Sequence, residues 1–173
     1  MSAERIAVPF VLACTLATAG CGFHPLFARS GANGGGQQVF NSIYVDPVAD
    51  GGRAGYELRN LLIDSLEGTS QPDQARYRLK IGLNQTLDST AIQTNGYITR
   101  YSYNMTVRYL LSNAHTGAEL TKGTETVTSG YDVVASPYAT LVTQQDAQRS
   151  GAKEVADRIR IDLGVYFSKQ AGR

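Results

Sequence analysis

The sequence has no tryptophan, and it has only two cysteines and two histidines. We expect Cys14 to be lost with an apolar leader and Cys21 to be modified, which would leave the mature chain without a free thiol or a disulfide. His24 and His115 stand apart, and the chain contains no G-x-S-x-G, H-E-x-x-H or phosphate-loop motif. These absences argue against an enzyme, a metal site and a bound cofactor.

A strong excess of one charge is also missing, because 16 basic residues oppose 15 acidic residues and give a net charge of +1. A protein that binds nucleic acid through its phosphates needs a large basic excess, so we expect no nucleic-acid partner. Hydrophobic residues make up 42% of the chain, which is enough for one buried core. The ten tyrosines favour a fold rich in β-sheet.

The N-terminal apolar run, residues 6–17, is too short for a transmembrane helix, which needs about 20 apolar residues. Its length and the small residues after it are typical of a signal peptide, which we assign to residues 1–20. The sequence Thr-Ala-Gly-Cys that ends at Cys21 resembles the lipobox of bacterial lipoproteins, although Thr18 stands where leucine is usual. This resemblance implies cleavage before Cys21 and acyl chains on that residue. The alternatives are ordinary secretion with cleavage near Ala19, or an uncleaved helix.

The residues that follow Cys21 indicate an outer-membrane location and a tether. Gly22 stands where an aspartate would retain a lipoprotein in the inner membrane, so the resemblance implies an outer-membrane anchor with the domain on the periplasmic side. Residues 30–38 are rich in Gly, Ser, Asn and Gln. We therefore interpret residues 21–38 as a lipidated N-terminus with a flexible linker, and residues 39–173 as a single domain.

Hydrophobic periodicity predicts the element order β-α-β-β-β-α for this domain. The predicted strands cover residues 39–45, 75–83, 97–111 and 120–133, and the predicted helices cover residues 53–67 and 138–167. The third strand is longer than usual, so we expect it to be bulged, bent or shorter than its pattern. Both amphipathic helices must bury an apolar stripe, and the sheet has one apolar face on which they can pack. The predicted fold class is therefore α+β, a two-layer sandwich with a four-stranded mixed sheet and two helices on one face.

The polar face of the predicted sheet carries most of the candidate functional residues. No acidic residue falls on that face of the second or third predicted strand, so we expect a basic patch that suits phosphate or carboxylate groups. The alternative is a solvated face whose cations discourage aggregation. The basic residues at these positions are Arg76, Arg78, Lys80, Arg100, Arg108 and Lys122.

The start of the expected mature chain, Cys-Gly-Phe-His-Pro-Leu-Phe at residues 21–27, resembles the C-G-F-x-P-L opening of the LptE family in its alphaproteobacterial form. LptE proteins are lipopolysaccharide-assembly lipoproteins. Other segments are similar in kind and occur in the same order along the chain. They are residues 96–101, the Thr116-Gly117 turn with Gly123 after it, residues 131–139, Asp146-Ala147 and the helical ending.

The resemblance implies a role that composition alone does not reveal. LptE-like proteins pair with the large outer-membrane β-barrel LptD, lie inside it as a plug, and bind lipopolysaccharide. The implied partners are thus an LptD-like barrel, lipopolysaccharide, and the outer membrane through acyl chains on Cys21. The candidate contacts for lipopolysaccharide or the barrel are Arg78, Lys80, Arg100, Arg108 and Lys122. An accessory lipoprotein of a phospholipid or solute transporter is the main alternative, and a periplasmic hydrolase is a third.

Overall fold

The structure is a computed structural model that describes residues 39–49, 51–92, 94, 96 and 98–171. The predicted signal peptide, Cys21 and linker lie outside these residues. The described elements are β1 (Ile43–Val45), α1 (Gly52–Leu66), a 3-10 turn (Pro72–Gln74), β2 (Tyr77–Ile92), β3 (Ile98–Asn113), β4 (Glu119–Asp132) and α2 (Pro137–Ala171). The predicted order β-α-β-β-β-α is confirmed.

The four strands form one sheet in the order β1-β2-β3-β4. The short β1 pairs with β2 in parallel, which the intervening helix α1 makes possible, and the other two pairs are antiparallel. The predicted mixed sheet is therefore confirmed. The antiparallel pairs follow from short connections, since a chain that reverses within a few residues returns beside the strand it has left.

Both helices cover the same face of the sheet, as predicted. A β-carbon placed on Gly55 of α1 would lie 3.8 Å from Leu83 Cδ2, and one placed on Gly151 of α2 would lie 3.3 Å from Ser129 Oγ. These contacts place the two helices on one apolar side of the sheet, and no element in the described part of the chain covers the other side. The largest fully buried side chains are Ile43, Val45, Leu58, Leu62, Leu66, Leu79, Met105, Val107, Leu111, Val155, Ile159 and Leu163.

The first strand is shorter than its sequence pattern. Val39 and Phe40 are helical, and Ser42 donates both its amide and its hydroxyl to the carbonyl of Val39, at 3.1 and 2.7 Å. This turn satisfies backbone groups that a longer strand would have paired, so β1 begins only at Ile43. Phe40 is still part of the core, because its ring meets the ring of Phe167 edge-on with centroids 6.0 Å apart.

The central strands are longer than predicted. β2 runs to Ile92, well beyond the predicted end at Leu83, and β3 keeps its full 16 residues. The ladder absorbs this length through register shifts, between Ser89 and Ile92 on β2 and beside Leu111 on β3. Of the alternatives expected for the third strand, bulged, bent or shorter, the bulges are present and the strand keeps its length. Bulges let long strands twist without losing their pairing.

Gly123 of β4 makes room for a buried aromatic ring on the neighbouring strand. A β-carbon there would lie 2.5 Å from the Tyr109 hydroxyl oxygen, so the ring would have to shift. We expect Gly123→Ala to lower the free energy of unfolding by about 1–3 kcal/mol, the usual cost of overpacking. Gly130→Ala is the matched control on the same strand, since its β-carbon would meet only the flexible end of Arg100. Urea denaturation checks both variants, and equal losses would contradict this account.

Two buried tyrosines make the folded state less stable at alkaline pH. Tyr103 donates to Gln85 Oε1 at 2.6 Å, and Tyr109 donates to Asp162 Oδ2 at 2.8 Å. Burial raises the pKa of Tyr103 to about 12, and burial together with the bond to Asp162 raises the pKa of Tyr109. Since the folded state holds these protons more tightly, their contribution is complete below the unfolded pKa of about 10 and is lost as the pH rises towards 12.

The expected loss for Tyr103 alone is about 2 kcal/mol between pH 9 and pH 12. Urea denaturation across this range checks it. Tyr103→Phe should flatten the decline of stability with pH, because phenylalanine has no proton to lose. The free energy of unfolding of this variant at pH 8, compared with that of the wild type, gives the separate cost of the missing hydrogen bond to Gln85. A decline that Tyr103→Phe leaves unaltered would show that this side chain does not control alkaline stability.

Candidate anion-binding site

The face of the sheet opposite the helices is called here the open face. It carries the side chains of even-numbered residues from Arg78 to Asp88 on β2, because their odd-numbered neighbours, such as Leu79 and Ile81, are buried under the helices. The same alternation assigns Thr106 and Arg108 of β3 to this face. The open face is therefore a solvent-accessible surface built from β2, β3 and β4.

Three of the predicted cations come together near one end of the open face. Lys80 of β2 lies opposite Leu110 of β3, which lies opposite Lys122 of β4. Arg108 lies two residues from Leu110 along β3, about 7 Å away at strand geometry. Because neighbouring strands lie about 4.8 Å apart, the Cα atoms of the two lysines are about 10 Å apart. We call Lys80, Arg108 and Lys122 the cation triangle.

A shallow depression of about 570 Å³ lies within the cation triangle. Its lining includes all three cations together with Gly82, Leu110 and Thr124. A second depression of about 180 Å³ adjoins it, lined by Gly82, Leu83, Asn84, Thr106 and Arg108. Gly82 is common to both and lies opposite Arg108 in the ladder. The missing side chain at Gly82 leaves the surface open there and gives Arg108 room.

The positive charges of the cation triangle are only partly neutralised by nearby carboxylates. Among the residues that the structure describes, neither Lys80 nor Arg108 has a carboxylate within 4.0 Å. Lys122 Nζ lies 3.8 Å from Glu119 Oε2, and both side chains are exposed. Three positive charges beside one negative charge leave a local excess of about two positive charges in a protein that is otherwise balanced. Such a surface attracts anions.

The other two predicted contacts differ from the triangle. Arg78 lies next to Lys80 on the open face, but its Nη2 and Nε donate to Asp46 Oδ1 at 2.9 and 3.2 Å. Arg100 lies eight residues from Arg108 along β3, about 26 Å away. Its Nη1 donates to Asp132 Oδ1 at 2.9 Å. The five predicted residues therefore form one group of three, one neutralised neighbour and one distant ion pair.

The expectation that β2 and β3 carry no acid on this face is wrong at Asp88. The predicted second strand ended at Leu83, whereas the observed β2 continues and places Asp88 on the open face opposite Ser102. Asn104 donates to Asp88 Oδ2 at 2.7 Å. The acid lies well away from the cation triangle. Together with the Arg100–Asp132 ion pair, it belongs to a nearly neutral end of the open face, away from the basic end.

A band of threonine and asparagine side chains separates the two ends. Thr128 donates to Asn104 Oδ1 at 2.6 Å, and the hydroxyls of Thr106 and Thr126 lie 3.3 Å apart. Sequence reasoning missed this band and also Gly82 and Leu110, although the regular alternation of threonines along β4 was a usable signal. The hydrogen bonds across the strands hold these polar groups in place and leave a flat, hydrated surface.

Two further classes of site are missing from the described part of the chain. No group of three or more His, Cys, Asp or Glu side chains in residues 39–49, 51–92, 94, 96 and 98–171 could hold a metal ion. In the same residues, neither helix combines the length and the apolar character that a membrane span requires.

The two-layer fold with its open sheet face is that of small bacterial lipoproteins. A candidate lipoprotein from Caulobacter crescentus CB15 is 30% identical, with a TM-score of 0.65 over 79% of this chain and 97% of that chain. Rare lipoprotein B from Shewanella oneidensis shares the fold, with a TM-score of 0.58 at 12% identity over 75% of this chain and 98% of that chain.

Sequence comparison identifies the family. The model of the LptE family, described as lipopolysaccharide-assembly, matches residues 40–163, and the chain belongs to this family. An uncharacterized protein of Rickettsia prowazekii (strain Madrid E) is 29% identical over 100 residues, which cover 58% of this chain and 64% of that protein. The match thus spans less than two thirds of the Rickettsia protein. The resemblance to the LptE family inferred from the sequence is confirmed.

Proposed function

We propose that this protein is an outer-membrane lipoprotein that pairs with an LptD-like β-barrel and helps to deliver lipopolysaccharide to the cell surface. The observation that carries the proposal is the family match over residues 40–163, which includes β1 to β4 and most of α2. In this proposal the domain faces the periplasm, and the acyl chains on Cys21 hold it to the membrane. Its role is to bind and position, without catalysis.

The open face suits both proposed partners. A barrel lumen is polar, and the threonine and asparagine band offers it a flat surface of hydroxyl and amide groups. Lipopolysaccharide carries phosphates, and the cation triangle offers two ammonium groups and one guanidinium that can donate charge-assisted hydrogen bonds to them. In this proposal the band and the neutral end of the open face contact the barrel, and the basic end contacts lipopolysaccharide.

Copurification tests the proposal against the transporter alternative. The full chain with a C-terminal tag is extracted from membranes with detergent, and its partners are identified by mass spectrometry. We expect a large outer-membrane β-barrel in a one-to-one complex. An inner-membrane or periplasmic transporter complex would favour the alternative instead, and recovery of the protein alone under mild extraction would count against a stable barrel partner. An unrelated tagged outer-membrane lipoprotein is the control for non-specific recovery.

A further inference from the structure

The last turns of α2 carry apolar residues on their outward side as well as on their inward side. Ile159 and Leu163 are fully buried and belong to the core. On the outward side, Ile161 is 51% exposed and Val165 is 37% exposed, and their spacing of four residues places them on one face of the helix. A surface helix normally carries polar residues on its outward side, so this apolar pair indicates a second contact of α2.

The residues around this pair suit a boundary between water and lipid. Tyr166 is partly buried, with its ring 5.2 Å from that of Phe167, and Lys169 is exposed in the last turn of the helix. Tyrosine joins an apolar ring to a polar hydroxyl, and lysine joins an aliphatic stem to an ammonium, so both are at home where headgroups meet acyl chains. The nearby carboxylate of Asp162 accepts the hydroxyl of Tyr109 at 2.8 Å and is therefore engaged on the sheet side.

The chain enters the domain at this same end of α2. Phe40 meets the ring of Phe167 edge-on with centroids 6.0 Å apart, so the start of the described chain lies beside the last turns of the helix. The predicted flexible linker, residues 21–38, would span roughly 20–25 Å as a random coil. Because α2 has 35 residues and is about 50 Å long, an anchor at Cys21 holds its C-terminal end, and not its N-terminal end, next to the membrane.

The tether makes even a weak contact sufficient. Two half-exposed aliphatic side chains would bind a bilayer only weakly from free solution, but a short flexible linker holds the domain at an effective concentration of about millimolar beside the membrane. The cost of bringing the two surfaces together is then already met by the anchor. This argument does not extend to Leu141, which is also exposed but lies 20 residues, or about 30 Å, from Ile161 along the helix.

We propose that the outward face of the last turns of α2 lies on the phospholipid surface that holds the acyl chains, with Ile161 and Val165 at the boundary between headgroups and acyl chains and Lys169 at the headgroups. This inference rests on the proposed function, because it requires the anchor at Cys21. An acyl anchor alone leaves the domain free to rotate, whereas the second contact sets its orientation. Asp157, exposed one turn before Ile161, marks the limit of the contact, since its carboxylate stays in water.

A tryptophan placed on the helix tests the contact, because the chain has none of its own. Ile161→Trp is compared with Leu141→Trp, a matched control whose leucine is 48% exposed on the same helix. Each variant is purified as the full-length acylated protein and reconstituted into vesicles of phosphatidylethanolamine and phosphatidylglycerol, with or without bromine atoms on the acyl chains. We expect bromine to quench the tryptophan at position 161 several-fold more strongly than the one at position 141, and the emission of the former to lie further to the blue.

Equal quenching at the two positions would overturn the proposal. A blue-shifted but unquenched tryptophan at position 161 would also overturn it, because protein and not lipid would then cover the face. In that case, a shift that grows with the ratio of protein to lipid would identify a second copy of the chain, and a constant shift would identify residues 22–38. Val165→Trp gives a second position on the same face if Ile161→Trp is unstable, and urea denaturation of each variant checks its folding.

The failure of this contact differs from failure of the proposed function. Mass spectrometry of the N-terminal peptide shows whether Cys21 carries acyl chains, and copurification shows whether the barrel is bound. If both hold and bromine quenches neither tryptophan, only the contact of α2 is lost. If the quenching is present and no barrel copurifies, the contact stands and the proposed partner is lost. A chain without acyl groups on Cys21 would remove the anchor, and this contact with it.

Discussion

In a Cys21→Ser variant, we expect the acyl chains to be absent and the protein to be lost from the outer membrane. Serine has no thiol, so the thioether to diacylglycerol cannot form. Each buried methylene of an acyl chain contributes about 0.8 kcal/mol, and two or more chains are needed for stable attachment. Attachment should therefore fall from nearly complete to a trace.

The matched control uses the other cysteine. Cys14→Ser makes the same chemical change inside the predicted leader and should leave the anchor intact, because that residue is removed. The measurement is mass spectrometry of the N-terminal peptide, combined with separation of inner-membrane, outer-membrane and soluble fractions. Since an unprocessed leader could itself hold Cys21→Ser at the inner membrane, a second variant places residues 22–173 behind a cleavable signal that lacks a lipobox. We expect this variant to be soluble in the periplasm.

The departure at Thr18 bears directly on this experiment. Leucine is usual at that position, so Thr18 predicts slower processing than in a standard lipobox. Accumulation of some unprocessed precursor in the wild type would therefore agree with the assignment. A mature wild-type chain that starts next to Ala19 and carries no fatty acid would contradict it, and the anchor would have to be removed from the proposed function.

The hydrophobic pattern of the sequence was sufficient to predict those parts of the fold whose signal lies within one strand or one helix. Alternation predicted one apolar face along the third strand, formed by Tyr97, Tyr101, Tyr103, Met105, Val107, Tyr109 and Leu111. The structure buries the last five and leaves Tyr101 half-buried, and Tyr97 lies outside the described residues. The helical stripe of α2 was equally informative. Burial of one face leaves little choice of register, since a shift by one residue would expose every apolar side chain of the strand.

The same pattern could not predict how far β2 extends. Beyond Leu83 its inward positions are Gln85, Leu87 and Ser89, and Leu87 is exposed. Alternation is weak in such a segment. The strand persists because its backbone pairs with β3 over nearly its whole length. This pairing is non-local, so residues 84–92 carry no strong strand signal of their own.

The candidate site was predictable as a surface but not as a geometry. Alternation assigned all five cations to the open face, yet the acid partner of Arg78 comes from the loop after β1, and that of Arg100 comes from the end of β4. These ion pairs join residues 32 positions apart in the sequence. The strand order β1-β2-β3-β4 brings these pairs together, and among the described residues it leaves Lys80 and Arg108 without such a partner.

The burial of α2 is tested by two isoleucines that are two residues apart. Ile159 is fully buried, whereas Ile161 is 51% exposed on the same helix. We expect Ile159→Ala to lower the free energy of unfolding by about 2–5 kcal/mol, which combines lost apolar burial with the cavity left behind. Since a domain of this kind is stable by only about 5–15 kcal/mol, the loss is a large fraction of the total.

Ile161→Ala removes the same atoms from the same helix and should change the free energy of unfolding by no more than about 0.5 kcal/mol. Alanine favours the helix slightly over isoleucine at both positions, so this small gain cancels in the comparison. Urea denaturation followed by circular dichroism gives both values. If the two variants lost equal stability, α2 would not pack on the sheet through Ile159. The uncovered sheet face would then no longer be defined as the face opposite the helices, and the cation triangle would lose its structural basis.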